Sequence, residues 1–279
     1  MKSSLTQLLV HVDPSARSGD RLDLGLRIAQ SQGAALTALY GVTPSFMAVP
    51  FSTELGAGVA ASLHDIDDKQ VARARASFDG WRGAKAASAN WAQLGNDPVA
   101  GAFAQQALYA DLMVLGQFDP TMSQPVHVPA DFPEAVMAIS GKPALIVPYI
   151  GAPATIAQTI VVAWKETPEA ARAVSAAMPL LQRAERVHVV SWSQDESHVD
   201  GTRLDLKGYL ALSGVDAVWH QEGREPERLG DLLLSRAFDL HADMLVMGCY
   251  GHSRAREWVL GGTSRTVLQS MTLPVLMVR

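Results

Sequence analysis

The sequence predicts an α/β protein made of two similar domains, each a five-stranded parallel sheet with helices on both faces. Three observations lead there. First, the chain repeats itself: ANWAQLGNDP (89–98) and AVWHQEGREP (217–226) share Ala, Trp, Gly and Pro at the same spacing. Each is followed by a helix-like segment and then by ADLMVLG (110–116) or ADMLVMG (242–248), and such self-similarity marks a duplicated unit. Second, the two copies open alike, LLVHVDPS (8–15) answering IVVAWKET (160–167), and close alike, in KPALIVP (142–148) and LPVLMVR (273–279). Third, short apolar runs alternate with helix-like segments, which implies parallel strands joined by right-handed crossovers. The length of 279 residues accommodates two domains of ordinary size. They are expected at 1–150 and 156–279, joined near PYIGAPATIAQ (148–158).

Within each copy the expected order is strand, helix, strand, variable stretch, strand, helix, strand, helix, strand. The first copy opens on the strand of LLVHVDPS and carries an excursion over residues 41–70, rich in Pro, Gly and polar residues, before Trp91. It runs into a helix near DDKQVARARASFDGW (67–81), and a variable surface loop is the simplest reading of it. A lid, a partner surface and a linker remain open. In the second copy TIVVAW is strand one, and TPEAARAVSAAMPLLQRA is a helix with Thr167 as N-cap and Pro168 in the first turn. RVHVVSW and DAVWHQ read as strands two and three, and Pro226 is expected to open a helix through ERLGDLLLSRAFDLH. DMLVMG and LPVLMV are short apolar runs suited to central parallel strands. Trp91 and Trp219 recur in the strand before the Gly-Pro turn, where core or domain-interface packing is favoured over ligand stacking.

Hydrophobic residues make up 48% and charged residues 18% of the chain, the balance of a soluble globular protein. A formal net charge of −5 gives no general attraction to nucleic acid, so any phosphate site must be local. The single cysteine, Cys249, excludes an internal disulfide framework and a multi-cysteine zinc site. It reads as a small buried side chain beside the last glycine-rich stretch. The eight histidines are scattered without metal-ligand spacing, and no metal site is expected. The apolar run at the start of the chain is too short for a signal-peptide core, and no stretch approaches the ~18 apolar residues of a membrane span. A cytoplasmic protein without membrane contact is the expectation.

The stretch that carries chemistry is MGCYGHSRAREWVLGGTSRTV (247–267). Four glycines, Gly248, Gly251, Gly261 and Gly262, follow an apolar strand and precede the last helix. Glycine lets a backbone turn sharply or approach a ligand closely. Unpaired N–H groups at a helix start attract phosphate oxygens, and Thr263 and Ser264 add hydroxyl donors. In a doubly wound sheet this is the carboxyl edge of the strands, where ligands bind. GHSRA (251–255) also resembles a nucleophile elbow with Ser253 as nucleophile, but CYG separates it from the strand and no Asp or His follows to complete a triad.

With its repeat and this glycine spacing, the chain resembles the universal stress protein family, as a tandem member with two such domains. Nucleotide-binding members carry Gly, two residues, Gly, nine residues, Gly, then Ser or Thr after strand four. Gly248, Gly251 and Gly261 match, Gly262 stands at the Ser or Thr position, and Thr263 follows. The resemblance implies a Rossmann-like fold of the adenine nucleotide alpha hydrolase type, and a pseudo-dimer of the two halves with a homodimer also open. It implies stress-response function through binding of an adenine nucleotide, ATP with or without Mg2+, in the second domain. Gly248, Gly251, Gly261, Gly262 and Thr263 would hold ribose and phosphates, with Trp164, Lys165 and Met247 near the base and ribose. The family's strand-one Asp is matched by Asp13 in the first copy and by Lys165 in the second. The first copy keeps Gly116 but has Asp119 and Pro129 at the second and third glycine positions, so at most one nucleotide per chain is expected. No general base accompanies the motif, so no catalytic residue is assigned and an enzyme is not expected, slow ATP hydrolysis aside. The competing classes are a nucleotide-independent interaction or small-molecule and lipid-binding protein, drawn from the degenerate first half and the apolar FMAVPF (46–51), and a hydrolase using Ser253.

Overall fold

A computed structural model of the protein describes residues 4–48, 56–86, 88–95, 97–121, 128–192, 204–223, 226–249 and 262–279. The chain divides into two compact units, Leu5–Lys142 and Pro143–Arg279. The first comprises β1 (Gln7–Val12), α1 (Arg17–Gln32), β2 (Ala35–Tyr40), α2 (Ser45–Ala48), α3 (Ala57–Lys85), β3 (Asn90–Gln93), α4 (Val99–Ala107), β4 (Leu112–Gly116) and α5 (Phe132–Ser140). Its strands run parallel in the order β3-β2-β1-β4. The chain therefore steps outward from β1 to one side and then crosses to the other, which places a topological switch point at the carboxyl ends of β1 and β4.

The second unit comprises β5 (Ala144–Val147), β6 (Thr159–Trp164), α6 (Pro168–Leu181), β7 (Arg186–Ser191), α7 (Leu206–Leu212), β8 (Ala217–Gln221), α8 (Leu229–Asp239), β9 (Met244–Gly248), α9 (Thr263–Ser270) and β10 (Val275–Val278). Five of its strands are parallel in the order β10-β9-β6-β7-β8, again switching between β6 and β9. β5, which the repeat counts with the first copy, is hydrogen-bonded antiparallel to β10. Both strands are buried over their full length. An exposed edge of ALIV or VLMV would invite pairing with another chain, and joining the two edges removes that liability.

Local chemistry accounts for the repeat. The Ala-Asp pair before each fourth strand places a carboxylate at the entrance of the first strand. Asp111 accepts from the backbone N–H groups of Thr6 and Gln7, and Asp243 accepts from those of Gln158 and Thr159. Thr167 caps α6 as predicted: its hydroxyl accepts from the Ala170 N–H at 3.3 Å, and Pro168 occupies the first turn. α8 begins at Leu229 rather than at Pro226, so the proline precedes the helix by a short turn instead of opening it.

The helix at the end of the first-half excursion is longer than its charged core predicts, spanning Ala57–Lys85. Only Ala74 and Phe78 along it are buried. Phe78 packs on Trp91, which stacks on Tyr40. Trp81 and Lys85 both bond to the Asp23 carboxylate on α1, and Asp67 accepts from the backbone and hydroxyl of Ser45. The C-terminal part of the excursion is thus a helix docked over β2 and β3, while residues 49–55 lie outside the described residues. Trp91 is packed as expected. Trp219 is not, standing 37% exposed on β8. Among the described residues no helix is long and apolar enough to cross a membrane.

Candidate functional site

In the second unit, β6 and β9 run side by side, with Ala163 in register with Met247. Trp164, Lys165 and Gly248 therefore share the carboxyl edge of the sheet. Met247 is buried, Trp164 half-buried and Lys165 exposed. A Cβ on Gly248 would lie 2.5 Å from the Ala170 nitrogen and 2.6 Å from the Glu169 carbonyl carbon. The start of α6 thus presses directly on the strand end, and glycine is required there by packing alone. Cys249 is buried, and its N–H donates to the Val278 carbonyl.

Gly262 precedes α9 in extended conformation with no side-chain cap, leaving the first N–H groups of that helix without intrahelical acceptors. Because β9 and β10 are parallel, the helix between them starts at the same carboxyl edge. The Thr263 carbonyl and the Thr266 side chain lie over Gly230 of α8. Gly251 and Gly261, and with them Ser253, Arg254 and Arg256, lie outside the described residues. Of the predicted residues, the structure brings Trp164, Lys165, Met247 and Gly248 to one edge and places Gly262 and Thr263 at a helix start on that edge.

The first unit holds a cavity of about 310 Å³ at its own switch point, lined in part by His11, Asp13, Arg21, Gly116, Asp119 and Pro129. Its centre is an ion pair that sequence reasoning missed. Arg21 Nη2 lies 2.7 Å from Asp13 Oδ2, with side chains only 5% and 8% exposed. Arg21 Nε donates to the His11 carbonyl and Nη2 also to Ser18 Oγ. The Ser18 hydroxyl donates to the Asp13 carbonyl, and Ser15 N–H donates to Asp13 Oδ1. Burial pushes the Asp13 carboxyl upward, but the Arg21 guanidinium, His11 and the bonds from Ser15 hold it well below the usual carboxylate range.

His11 is buried, its ring against Phe132 and Phe103. Its Nε2 donates to the Gly41 carbonyl at 2.8 Å, since a carbonyl only accepts. Desolvation, then the charge of Arg21, lowers its pKa to about 4, so the ring is neutral at pH 7. Asp119 bonds Thr121 in its own turn and faces Arg17 at 4.0 Å. Above the β2 end, the buried Tyr40 hydroxyl has no partner among the described residues, and burial with the charges of Asp67 and Asp13 raises its pKa. A buried arginine eight residues beyond a buried aspartate, DPSARSGDR (13–21), was the available signal. It is weak because the same spacing on a surface helix means only solvated charge.

Residues 157–279 match the model of the Universal stress protein family. No curated protein sequence matches the chain significantly. Among solved structures, a universal stress protein from Archaeoglobus fulgidus DSM 4304 superposes with a TM-score of 0.69 at 15% identity, covering 98% of this chain and 96% of that one. A functionally unknown protein from Pseudomonas aeruginosa PAO1 superposes with a TM-score of 0.57 at 16% identity, covering 98% and 92%. The second half of the chain thus matches the universal stress protein family by sequence, and the whole chain shares the fold of these solved structures.

Proposed function

We propose that the protein is a cytoplasmic stress-response protein that binds an adenine nucleotide, ATP, in its second half. In this reading it acts through the bound state as a regulatory or protective binding protein rather than as an enzyme. The observation that carries the reading is the spacing of Gly248, Gly251 and Gly261 after β9, continued by Gly262 and Thr263 at an uncapped helix start. Backbone N–H groups and the helix dipole at such a place favour phosphate oxygens. Trp164, half-buried at the same edge, supplies apolar surface for a base and ribose, with Met247 in the neighbouring strand.

Calorimetric titration of the full chain with ATP and Mg2+ tests this, beside Gly251→Asp and Gly261→Asp. The expected result is one saturable site per chain, lost in both variants because a carboxylate repels the phosphates it now faces. Absence of binding by the unaltered protein overturns the reading. A nucleotide-independent ligand in the first half is a second reading, favoured by the cavity at Asp13 and Arg21.

A further inference from the structure

The first-half cavity carries hydrogen-bonding capacity that the protein itself does not use. The Arg21 guanidinium is nearly fully buried, and its Nε and Nη2 are spent on His11, Asp13 and Ser18. A guanidinium has five N–H donors in a fixed fork, and the two on Nη1 meet no acceptor among the described residues. Nη1 lies on the cavity wall over Gly116, only 2.6 Å from where a Cβ of that residue would stand. A permanently charged donor that faces a cavity without a protein acceptor offers a charge-assisted bond to an anionic oxygen. The bare glycine makes room for the guanidinium tip itself, which could not lie there over a Cβ.

Charge and shape restrict that oxygen's owner. Asp13 is matched by Arg21 and Asp119 faces Arg17, while His11 is neutral, so the cavity is balanced before any ligand enters. One additional negative charge on Nη1 gains a charge-assisted bond. A polyphosphate would bring several charges against two carboxylates. The other walls are apolar, with Phe118, Pro129 and Phe132, and about 310 Å³ is at the small end of ligand pockets, which run from roughly 300 to 1,000 Å³.

We propose that this cavity binds a small monocarboxylate with an aromatic or branched apolar body, its carboxylate on Arg21 Nη1 and its body against Phe118 and Phe132. The site is independent of the nucleotide reading for the second half.

The test is titration of the full chain with benzoate, phenylacetate and isovalerate, followed by ligand-observed NMR and calorimetry, with benzamide as the uncharged counterpart of benzoate. The expected result is saturable binding of at least one acid, with benzamide roughly tenfold weaker or worse because it lacks the charge-assisted bond. Phe118→Asp changes a half-exposed wall residue and is expected to abolish binding while the circular dichroism and melting temperature hold. Gly116→Ala displaces the guanidinium tip and is expected to weaken acid binding at a small cost in stability. Gly261→Asp is expected to leave acid binding intact, which separates this site from the nucleotide site. No saturable binding of any acid, equal binding of benzamide, or unchanged affinity in a folded Phe118→Asp protein overturns the proposal.

Discussion

At the end of the fourth strand the two halves carry the same glycine and use it differently. Over Gly248 the space that a side chain would take is filled by the backbone of α6 at Glu169 and Ala170. Over Gly116 it is filled by the tip of Arg21. Counting eight residues on from the matched positions Asp13 and Lys165, Arg21 is answered by Ala173, a buried alanine. With alanine, the helix closes directly on the strand. With arginine, a guanidinium stands between them, held by Asp13, and a cavity opens beside it. One exchange of a small for a long charged side chain, matched by an aspartate where the other half has an exposed lysine, turns a packed strand end into a polar chamber.

The largest effect that probes this contrast is expected from Arg21→Ala. It leaves Asp13 buried without its counter-charge, a change that costs about 3–5 kcal/mol, to be read as lost stability in urea unfolding. A cost below about 1 kcal/mol would mean the pair behaves like a surface bridge and would remove the basis of the contrast.

Gly248→Ala comes next. Its methyl group would meet backbone atoms that cannot swing aside, and overpacking of this kind costs about 1–3 kcal/mol. Gly116→Ala meets only a side-chain tip, so its loss of stability is expected to be the smaller of the two. Equal losses would show that Arg21 is as rigid as backbone.

The pH response sharpens the comparison further. His11 has a lowered folded pKa of about 4, so the unfolded chain takes up its proton first as pH falls. Stability is full above about 6.5 and declines between there and about 4, by on the order of 3 kcal/mol. Asp13 acts lower: its folded pKa is depressed, so its contribution is present above the unfolded value of about 4 and is lost as pH falls beyond it. The position answering His11 in the second half is Ala163. His11→Gln is therefore expected to flatten the upper part of the profile, measured by urea unfolding at a series of pH values. An unchanged slope would show that the ring is not the titrating group.

The smallest expected effect is optical. Trp91 lies beneath Phe78 with the Arg75 guanidinium 5.3 Å from its ring, whereas Trp219 is 37% exposed. Iodide quenching of fluorescence should fall more in Trp219→Phe than in Trp91→Phe. The reverse order would mean that α3 does not shield the first-half tryptophan.

Much of this was legible in the chain. The repeat, the apolar runs of the central strands, the Thr167 cap and the glycine spacing are signals carried by neighbouring residues, and local sequence suffices to read them. The excursion's docking was not legible, because its contacts from Trp81 and Lys85 to Asp23 span about sixty residues. Asp13 was legible as a polar group at a strand end, but its partner was not, since a helix can turn Arg21 toward solvent or toward the sheet with the same sequence spacing.

The sequence by itself determined two αβ units, their strands and the edge at which a ligand would sit, because periodicity and turn chemistry act over a few residues. The tertiary structure alone decided that β5 joins β10, that Arg21 is buried on Asp13, that His11 is neutral and that a chamber remains beside Gly116. Those outcomes depend on which groups share a space from which water has been removed, and desolvation and distance are properties of the packed chain, not of its order.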